Sequence, residues 1–412
     1  MFAFQPFSKK QMQLMNWYKE GAPTAGMDMV VADGSIRAGK TIAMTAGFLQ
    51  WAQENHEGKD FILAGKTVGS LKRNVITPLL GMLDSWGWGW EYNRSGVPCI
   101  RVGTNSFYLF GASSEAAQDT LQGMTAAGAL ADEVALFPKS FVEQMIGRCS
   151  VEGALIWMNC NPRGPFHYFK TDFIDKAEEK RIAYFHFTMG DNLTLAAAVV
   201  ERYCRMFSGM FYERYIKGKW VQAEGVIFDM FDERRHVMRG IPTSGGKHYI
   251  SCDYGTQNPC VFLLWGEQAG GVWACEKEYY YGGREVGRQK TDEEYCDDLE
   301  EFAGSLNIQD VIIDPNATSF IAAVRKRRRF HVRKGKNAVA VGIRNTATAL
   351  TTGMLLFDAS CTNTIKEFHS YVWSDKAFER GEDAPLKQSD HAMDATRYFV
   401  NTIVASPVSL LR

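Results

Sequence analysis

Residues Val30 to Met44 read VVADGSIRAGKTIAM, and this stretch decides how the first half of the chain is built. From Gly34 through Ser35, Ile36, Arg37, Ala38 and Gly39 to Lys40 and Thr41 it satisfies G-x-x-x-x-G-K-[ST] in full. The apolar residues ahead of it predict a strand over 29–32, and the apolar spacing behind it a helix over 41–53. Glycines let the backbone curl until successive N–H groups face one point, at a helix N-terminus where negative charge is favoured. ATP suits such a loop: Lys40 reaches the β- and γ-phosphates and the Thr41 hydroxyl holds Mg2+. The bland alternative is a glycine-rich turn between strand and helix. It leaves the Gly-Lys-Thr order unexplained.

A phosphate loop needs a second acid for the metal and a base for water, and TAAGALADEVALF (125–137) offers both. Its apolar run 126–131 suits a buried parallel strand that ends in Asp132 and Glu133. Asp132 is expected to support Mg2+, and Glu133 to polarise the attacking water. The strand-like KDFILAGKT and NSFYLFGAS and the helical TVGSLKRNVITPLLGML lie between the two motifs. Such alternation predicts an α/β sheet with phosphates at the carboxyl ends of its strands. GALIWMNCNPRGP (153–165) repeats the pattern and ends in Asn159 and Asn161, amides able to reach the γ-phosphate or the lytic water. Arg37 and Arg148 are candidates for neutralising transition-state charge, with surface ion pairing the alternative for each. Gln11, in FSKKQMQLMNWY, is placed to read the adenine edge or simply sits on an amphipathic packing helix.

The second half carries acids on three separate elements. KHYISCDYGTQNPCVFLLWGE reads as strand, turn, strand, with Asp253 ending the first. IQDVIIDPNATSF is a short buried strand ending in Asp314. KQSDHAMDATRYFVNTIV is a helix whose one face carries Asp390, His391 and Asp394, with Tyr398 a turn later. Two Mg2+ or Mn2+ ions held by hard oxygens from different elements are what a phosphodiester hydrolase uses. Asp253 is the natural bridging ligand, Asp314 and Asp394 complete the set, and His391 orients a carboxylate or acts as an outer acid or base. The basic run AVRKRRRFHVRKGKN, from Arg325 to Lys336, is read as a grip on a phosphate backbone or as a solvated face.

Length and composition fit this division. A chain of 412 residues suits two domains, expected at 1–226 and 246–412 with a linker at 227–245, where Pro, Ser and Gly-Gly follow a charged patch. The formal net charge is −1, so contact with nucleic acid relies on local basic patches. Nine scattered cysteines without a C-x-x-C pair suggest neither a zinc ribbon nor a disulfide framework, and fit a reducing cytosol. No run of eighteen apolar residues predicts a membrane span, and the amino terminus lacks the order of a secretory signal.

The order of these motifs resembles the large terminase subunit of tailed bacteriophages. The most specific pieces are GSIRAGKT, LQGMTAAGALADEVALF, MNCNPRGPFHYF, KGKWVQAEGVIF and PLKQSDHAMDATRYF. The resemblance implies an ASCE-type P-loop ATPase domain joined to a ribonuclease-H-like nuclease domain. In it Lys40 and Thr41 belong to the phosphate loop, and Asp132 and Glu133 are the metal-binding and water-activating acids. Asn161 falls in the motif that couples hydrolysis to movement, where this chain has Met158-Asn159 in place of a common Thr. Asp253, Asp314 and Asp394 match the nuclease carboxylates, with His391 in an H-x-x-D pattern. The implied function is ATP-driven movement of double-stranded DNA into a procapsid, with endonucleolytic cutting of concatemers. The implied partners are DNA, the portal protein, the small terminase subunit and further copies in a ring, a pentamer by resemblance. The expected location is the host cytoplasm, transiently on the portal and outside the mature virion, and the ASPVSLLR end is where the portal would meet it. Two rivals stand beside this: a P-loop translocase or helicase with a non-catalytic second domain, and an ATP-regulated two-metal recombinase.

Overall fold

In the computed structural model, which describes residues 4–255 and 258–404, the apolar run before the phosphate loop forms strand β1 (Met29–Gly34), buried from Val30 onward. The ASPVSLLR segment lies outside the described residues. The chain divides into two compact units, residues 1–203 with 212–222, and residues 204–211 with 223–412. Both units are mixed α/β, with parallel and antiparallel strands in each.

In the first unit β1 is followed by β2 (Asp60–Gly65), β3 (Trp90–Asn93), β4 (Cys99–Val102), β5 (Asn105–Gly111), β6 (Gly128–Ala131), β7 (Leu155–Asn159) and β8 (Ile182–Phe187). The sheet order is β3-β4-β5-β2-β6-β7-β1-β8. From β5 to β8 every pairing is parallel, and only the β3-β4-β5 edge is antiparallel. Parallel strands buried on both faces need unbroken apolar runs, which explains FILA in β2 and GALA in β6. Alternate residues feed two cores: Val30 and Ala32 join Phe48, Trp51 and Trp157 on one face, and Val31 joins Ile62, Ala129 and Met158 on the other. Strand β7 stands between β1 and β6, which is the extra strand that sets the ASCE arrangement apart. Ala32 pairs with Asn159 and Ala131 with Met158, so the chain leaves β1, β6 and β7 at one edge. That edge carries the phosphate loop.

The second unit holds β9 (Val237–Met238), β10 (His248–Asp253), β11 (Cys260–Glu267), β12 (Trp273–Tyr281), β13 (Ile308–Ile313), β14 (Val332–Lys334) and β15 (Leu355–Asp358). Their order is β14-β13-β10-β11-β12-β15-β9. Strand β11 runs antiparallel to both neighbours, whereas β13 is parallel to β10 and β14 to β13. Counted from β10, the strands β12-β11-β10-β13-β14 lie 3-2-1-4-5, the ribonuclease-H order. Residues 227–245, expected as a linker, are instead built into this unit. Phe228 stacks on Tyr371, Phe231 stacks on Phe368, and Val237–Met238 pairs with Phe357–Asp358. Two large aromatic rings bury too much apolar surface to remain on a tether. Among the described residues no helix is long and apolar enough to cross a membrane.

Candidate functional site

The helix after the phosphate loop, Lys40–Asn55, begins on Gly39 in the left-handed region at φ +80°. A Cβ added there would lie 2.2 Å from Gln11 Nε2, so glycine is required both for the turn and for the approach of Gln11. Gln11 also closes the first turn of its own helix, Lys9–Met15, its Oε1 accepting from Ser8 N at 2.8 Å. It lines a small cleft with Phe4, Phe7, Ile42, Asn192 and Thr194. Next to this lies a larger cleft of about 460 Å³ lined by the loop from Ile36 to Thr41 and by Asp132, Glu133, Asn159 and Asn161.

Inside it Lys40 is buried, and its Nζ donates to Gly34 O at 3.1 Å, Ser35 O at 2.7 Å and Asn161 Oδ1 at 3.2 Å. Burial lowers the Lys40 ammonium to about 8 against the pull of nearby acids. Thr41 Oγ1 donates to Asp132 Oδ1 at 2.9 Å, and Asn159 Nδ2 donates to the same oxygen at 3.0 Å. Asn159 Oδ1 in turn accepts from Glu133 N at 3.2 Å. Glu133 and Arg37 both adopt positive φ, +60° and +58°, a conformation that costs a non-glycine residue energy and clusters at functional sites. Arg37 Nε donates to Tyr203 OH at 3.1 Å, and its carbonyl accepts from Asn192. Among the described residues no acceptor meets the N–H groups of Ala38 and Gly39, and Ser35 Oγ is buried without a partner. Unpaired donors around a buried cation fit an anionic ligand, and a hydroxyl on a carboxylate fits a hard divalent ion beside it.

Arg148 is not part of this pocket. Its carbonyl accepts from Ala126 N, ahead of β6, whereas Asp132 follows β6 at the opposite edge of the sheet.

In the second unit Asp253 ends β10, and Asp314 follows β13 one strand away, its N–H bonding to Cys252 O at 3.3 Å. Asp394 sits on the helix His391–Phe399. His391 Nδ1 lies 2.9 Å from Asp253 Oδ2. Burial, reinforced by the Asp394 and Asp314 charges and opposed by His391, raises the Asp253 carboxyl to about 6. Burial pulls His391 down, yet the Asp253 carboxylate carries it above its ordinary value. Lys387 Nζ bridges Asp390 Oδ2 at 3.1 Å and Asp394 Oδ2 at 3.3 Å, and the buried Arg397 donates to Asp394 Oδ1. Asp253, Asp394 and His391 line a cleft of about 430 Å³ with Lys387 and Asp390, and Asp314 is not among its walls.

Three carboxylates in one neighbourhood are a costly arrangement unless cations neutralise them, and here Lys387, Arg397 and His391 do so. Among the described residues no three His, Cys, Asp or Glu side chains converge to hold a single ion. In the expected ligand set, cationic side chains occupy Asp253 and Asp394, and Asp314 turns its Oδ1 to Asn316 N. The donor chemistry, hard carboxylate oxygens under mutual repulsion, still suits Mg2+ or Mn2+.

The large terminase of a thermophilic bacteriophage superimposes on this chain with a TM-score of 0.93 at 51% identity, over 98% of this chain and 100% of that one. This chain belongs to the phage large terminases. The family described as "Terminase large subunit, T4likevirus-type, N-terminal" matches residues 31–235 of this terminase. The same thermophilic phage's large terminase in complex with ADP matches it at TM-score 0.91 and 51% identity, covering 97% of this chain and 100% of that one. That phage protein in complex with ATP-gamma-S matches at 0.90 and 50%, with the same coverage. No curated protein sequence matches this terminase.

Several residues of the terminase site have no signal in its sequence. Asp33, wholly buried beneath the phosphate loop, accepts from Tyr184 OH at 2.8 Å, lies 2.9 Å from His186 Nδ1 and accepts from Trp220 Nε1 at 2.6 Å. Glu367 caps the helix of His391 and Asp394, its Oε2 accepting from Ala392 N at 2.7 Å and Met393 N at 3.2 Å. Arg73 and Asn74 reach the phosphate cleft from the far side. The basic run behaves differently from a uniform phosphate grip. Arg327 and Arg329 are held by Glu293, Asp297 and Glu300 of the acidic helix Asp292–Ala303, and Arg333 by Asp310. Arg325, Arg328, Lys334 and Lys336 are exposed, with no ion-pair partner among the described residues.

Proposed function

We propose that this large terminase hydrolyses ATP at the Lys40 cleft to drive double-stranded DNA into a procapsid, and cuts concatemeric DNA at the Asp253–Asp394 cleft. The observation that carries the reading is the meeting of Lys40, Thr41, Asp132 and Asn161 in one cleft behind a glycine-rich loop. Lys40 neutralises the β- and γ-phosphates, and the free N–H groups of Ala38 and Gly39 orient them. Glu133 polarises the attacking water, its backbone fixed by Asn159. Asn161 touches the Lys40 ammonium and so senses whether the terminal phosphate is present. Gln11, at the adjoining cleft, reads the adenine edge. Thr41 and Asp132 would hold Mg2+, which supplies charge neutralisation across the phosphates.

In the second unit Asp253, Asp314 and Asp394 would hold Mg2+ or Mn2+, a metal whose contribution is to lower the pKa of water and stabilise the leaving oxygen. For the carboxylates to do so, Lys387 and Arg397 must yield Asp394. His391 fixes Asp253 in orientation. We assign as partners the portal protein, the small terminase subunit and further copies of this chain in a ring, in the host cytoplasm.

The test is a packaging reaction with procapsids, ATP and linear duplex DNA, scored by DNA made resistant to added nuclease. Uptake by the wild type and none by Lys40→Ala is the expected result. ATP-independent protection of DNA would remove the motor from the account.

A further inference from the structure

The cleft that holds Lys40 has a wall that no motif accounts for. Between the helices Val68–Leu71 and Thr77–Trp86 the chain makes one π-helical segment, Lys72–Ile76, closed by Thr77 Oγ1 on Lys72 O at 2.9 Å. Such wide turns inside helices recur at functional sites. Leu71, Val75 and Ile76 are buried and anchor the segment, leaving Arg73 and Asn74 exposed between them. Both line the phosphate cleft.

Sheet order fixes the side from which they enter. The segment follows β2, and the order β2-β6-β7-β1 sets Asp132 and Asn161 between it and the Lys40 loop. Asn74 Nδ2 donates to Asp132 Oδ2 at 3.2 Å, while Thr41 and Asn159 hold Oδ1. Asp132 thus has both oxygens fixed, and among the described residues Asn74 alone serves the second. Arg73 has no ion-pair partner among the described residues, and it lines the cleft with Lys40 and Glu133, its Nη1 lying against Gly69 one turn earlier. A cation opposite the loop lysine is where negative charge on the transferring phosphoryl group is least compensated by the loop itself.

Resting on the ATP-hydrolysing reading above, we propose that this segment completes the phosphate pocket: Arg73 contacts the terminal phosphate in cis, and Asn74 is a positioning residue that aims Asp132 at the metal beside Thr41. Neither Arg37, tied to Tyr203, nor Arg148, at the opposite sheet edge, fills the first role in this arrangement.

The test uses the full chain with Arg73→Ala, Arg73→Lys, Asn74→Ala and Asn74→Gln. Arg73→Ala is expected to lower kcat for ATP at least about a hundredfold with KM little changed, and Arg73→Lys to recover part of it. Asn74→Ala is expected to weaken Mn2+ binding to the ADP complex, read by electron paramagnetic resonance, about tenfold. Fluorescent ADP should bind that variant as wild type does without metal, and Asn74→Gln, which keeps the amide donor, should restore Mn2+ affinity. Unchanged kcat in Arg73→Ala, or unchanged Mn2+ affinity in Asn74→Ala, overturns the proposal, as does loss of the thermal unfolding transition in either. A wild type that turns over no ATP refutes the underlying reading instead, so the two failures are distinct.

Discussion

His391 and Asp253 meet at 2.9 Å, Nδ1 to Oδ2, across 138 positions of the chain. The contact joins the end of β10 to the first turn of the helix that carries Asp394, and it keeps a buried carboxylate in the company of a cation.

A pH dependence follows. The Asp253 carboxyl stands at about 6 in the fold, above its ordinary 3.8, chiefly because burial disfavours the charge. The folded state therefore binds more protons than the unfolded one between those values, and stability falls as pH rises through that window. Asp253→Asn is expected to raise the metal-free thermal midpoint at pH 7 and to leave it unchanged near pH 3. Mn2+ must displace that proton, so wild-type Mn2+ affinity should drop up to about tenfold for each unit of pH below 6, measured by calorimetry.

Arg397 is buried at 1% exposure and donates to Asp394, while its Nε and Nη1 find no partner among the described residues. The fold keeps this cation at the cost of two unpaired donors because it serves Asp394 Oδ1, while Lys387 reaches only Oδ2. Arg397→Met is expected to cost about 3 kcal/mol in urea unfolding without metal, and the added Asp394→Asn change to recover most of it. Additive losses in the double variant would show that the two side chains do not compensate each other.

Lys40 offers a third test. Burial brings its ammonium to about 8, so above that pH the empty pocket loses the charge that meets phosphate. Affinity for fluorescent ADP should fall by up to about tenfold per unit between pH 8 and 10, and Lys40→Ala should bind weakly with no such slope. A wild-type curve that is flat to pH 10 would mean that this ammonium does not meet the nucleotide.

What could be read from the sequence was local. Gly34 to Thr41 state their turn chemistry in eight consecutive residues, and Asp132, Asp253 and Asp314 each end a short apolar run. The meeting of Asp132 with the phosphate loop, and of Asp314 with the end of β10, follows from the strand order within each unit, which chain alternation already suggests for the first. Asn74 reaches Asp132 across 58 positions and from a π-helical segment that no periodicity marks. Glu367 caps a helix whose start lies some 25 residues further on. Trp220 reaches Asp33 across 187 positions. The run Arg325–Lys336 shows its charge plainly, but not that the acidic helix Asp292–Ala303 cancels part of it, since that pairing exists only after both pack on β13. The 227–245 stretch was misleading for a simpler reason: its Pro, Ser and Gly-Gly describe only its end, and Phe228 and Phe231 decide where the rest goes.

The two-site reading is tested most directly with one plasmid reaction containing ATP and Mn2+, run with wild type, Lys40→Ala and Asp253→Ala. Lys40→Ala is expected to lose ATP turnover and keep cleavage, and Asp253→Ala to do the reverse. Cleavage that survives Asp253→Ala, or ATP turnover that survives Lys40→Ala, would contradict it.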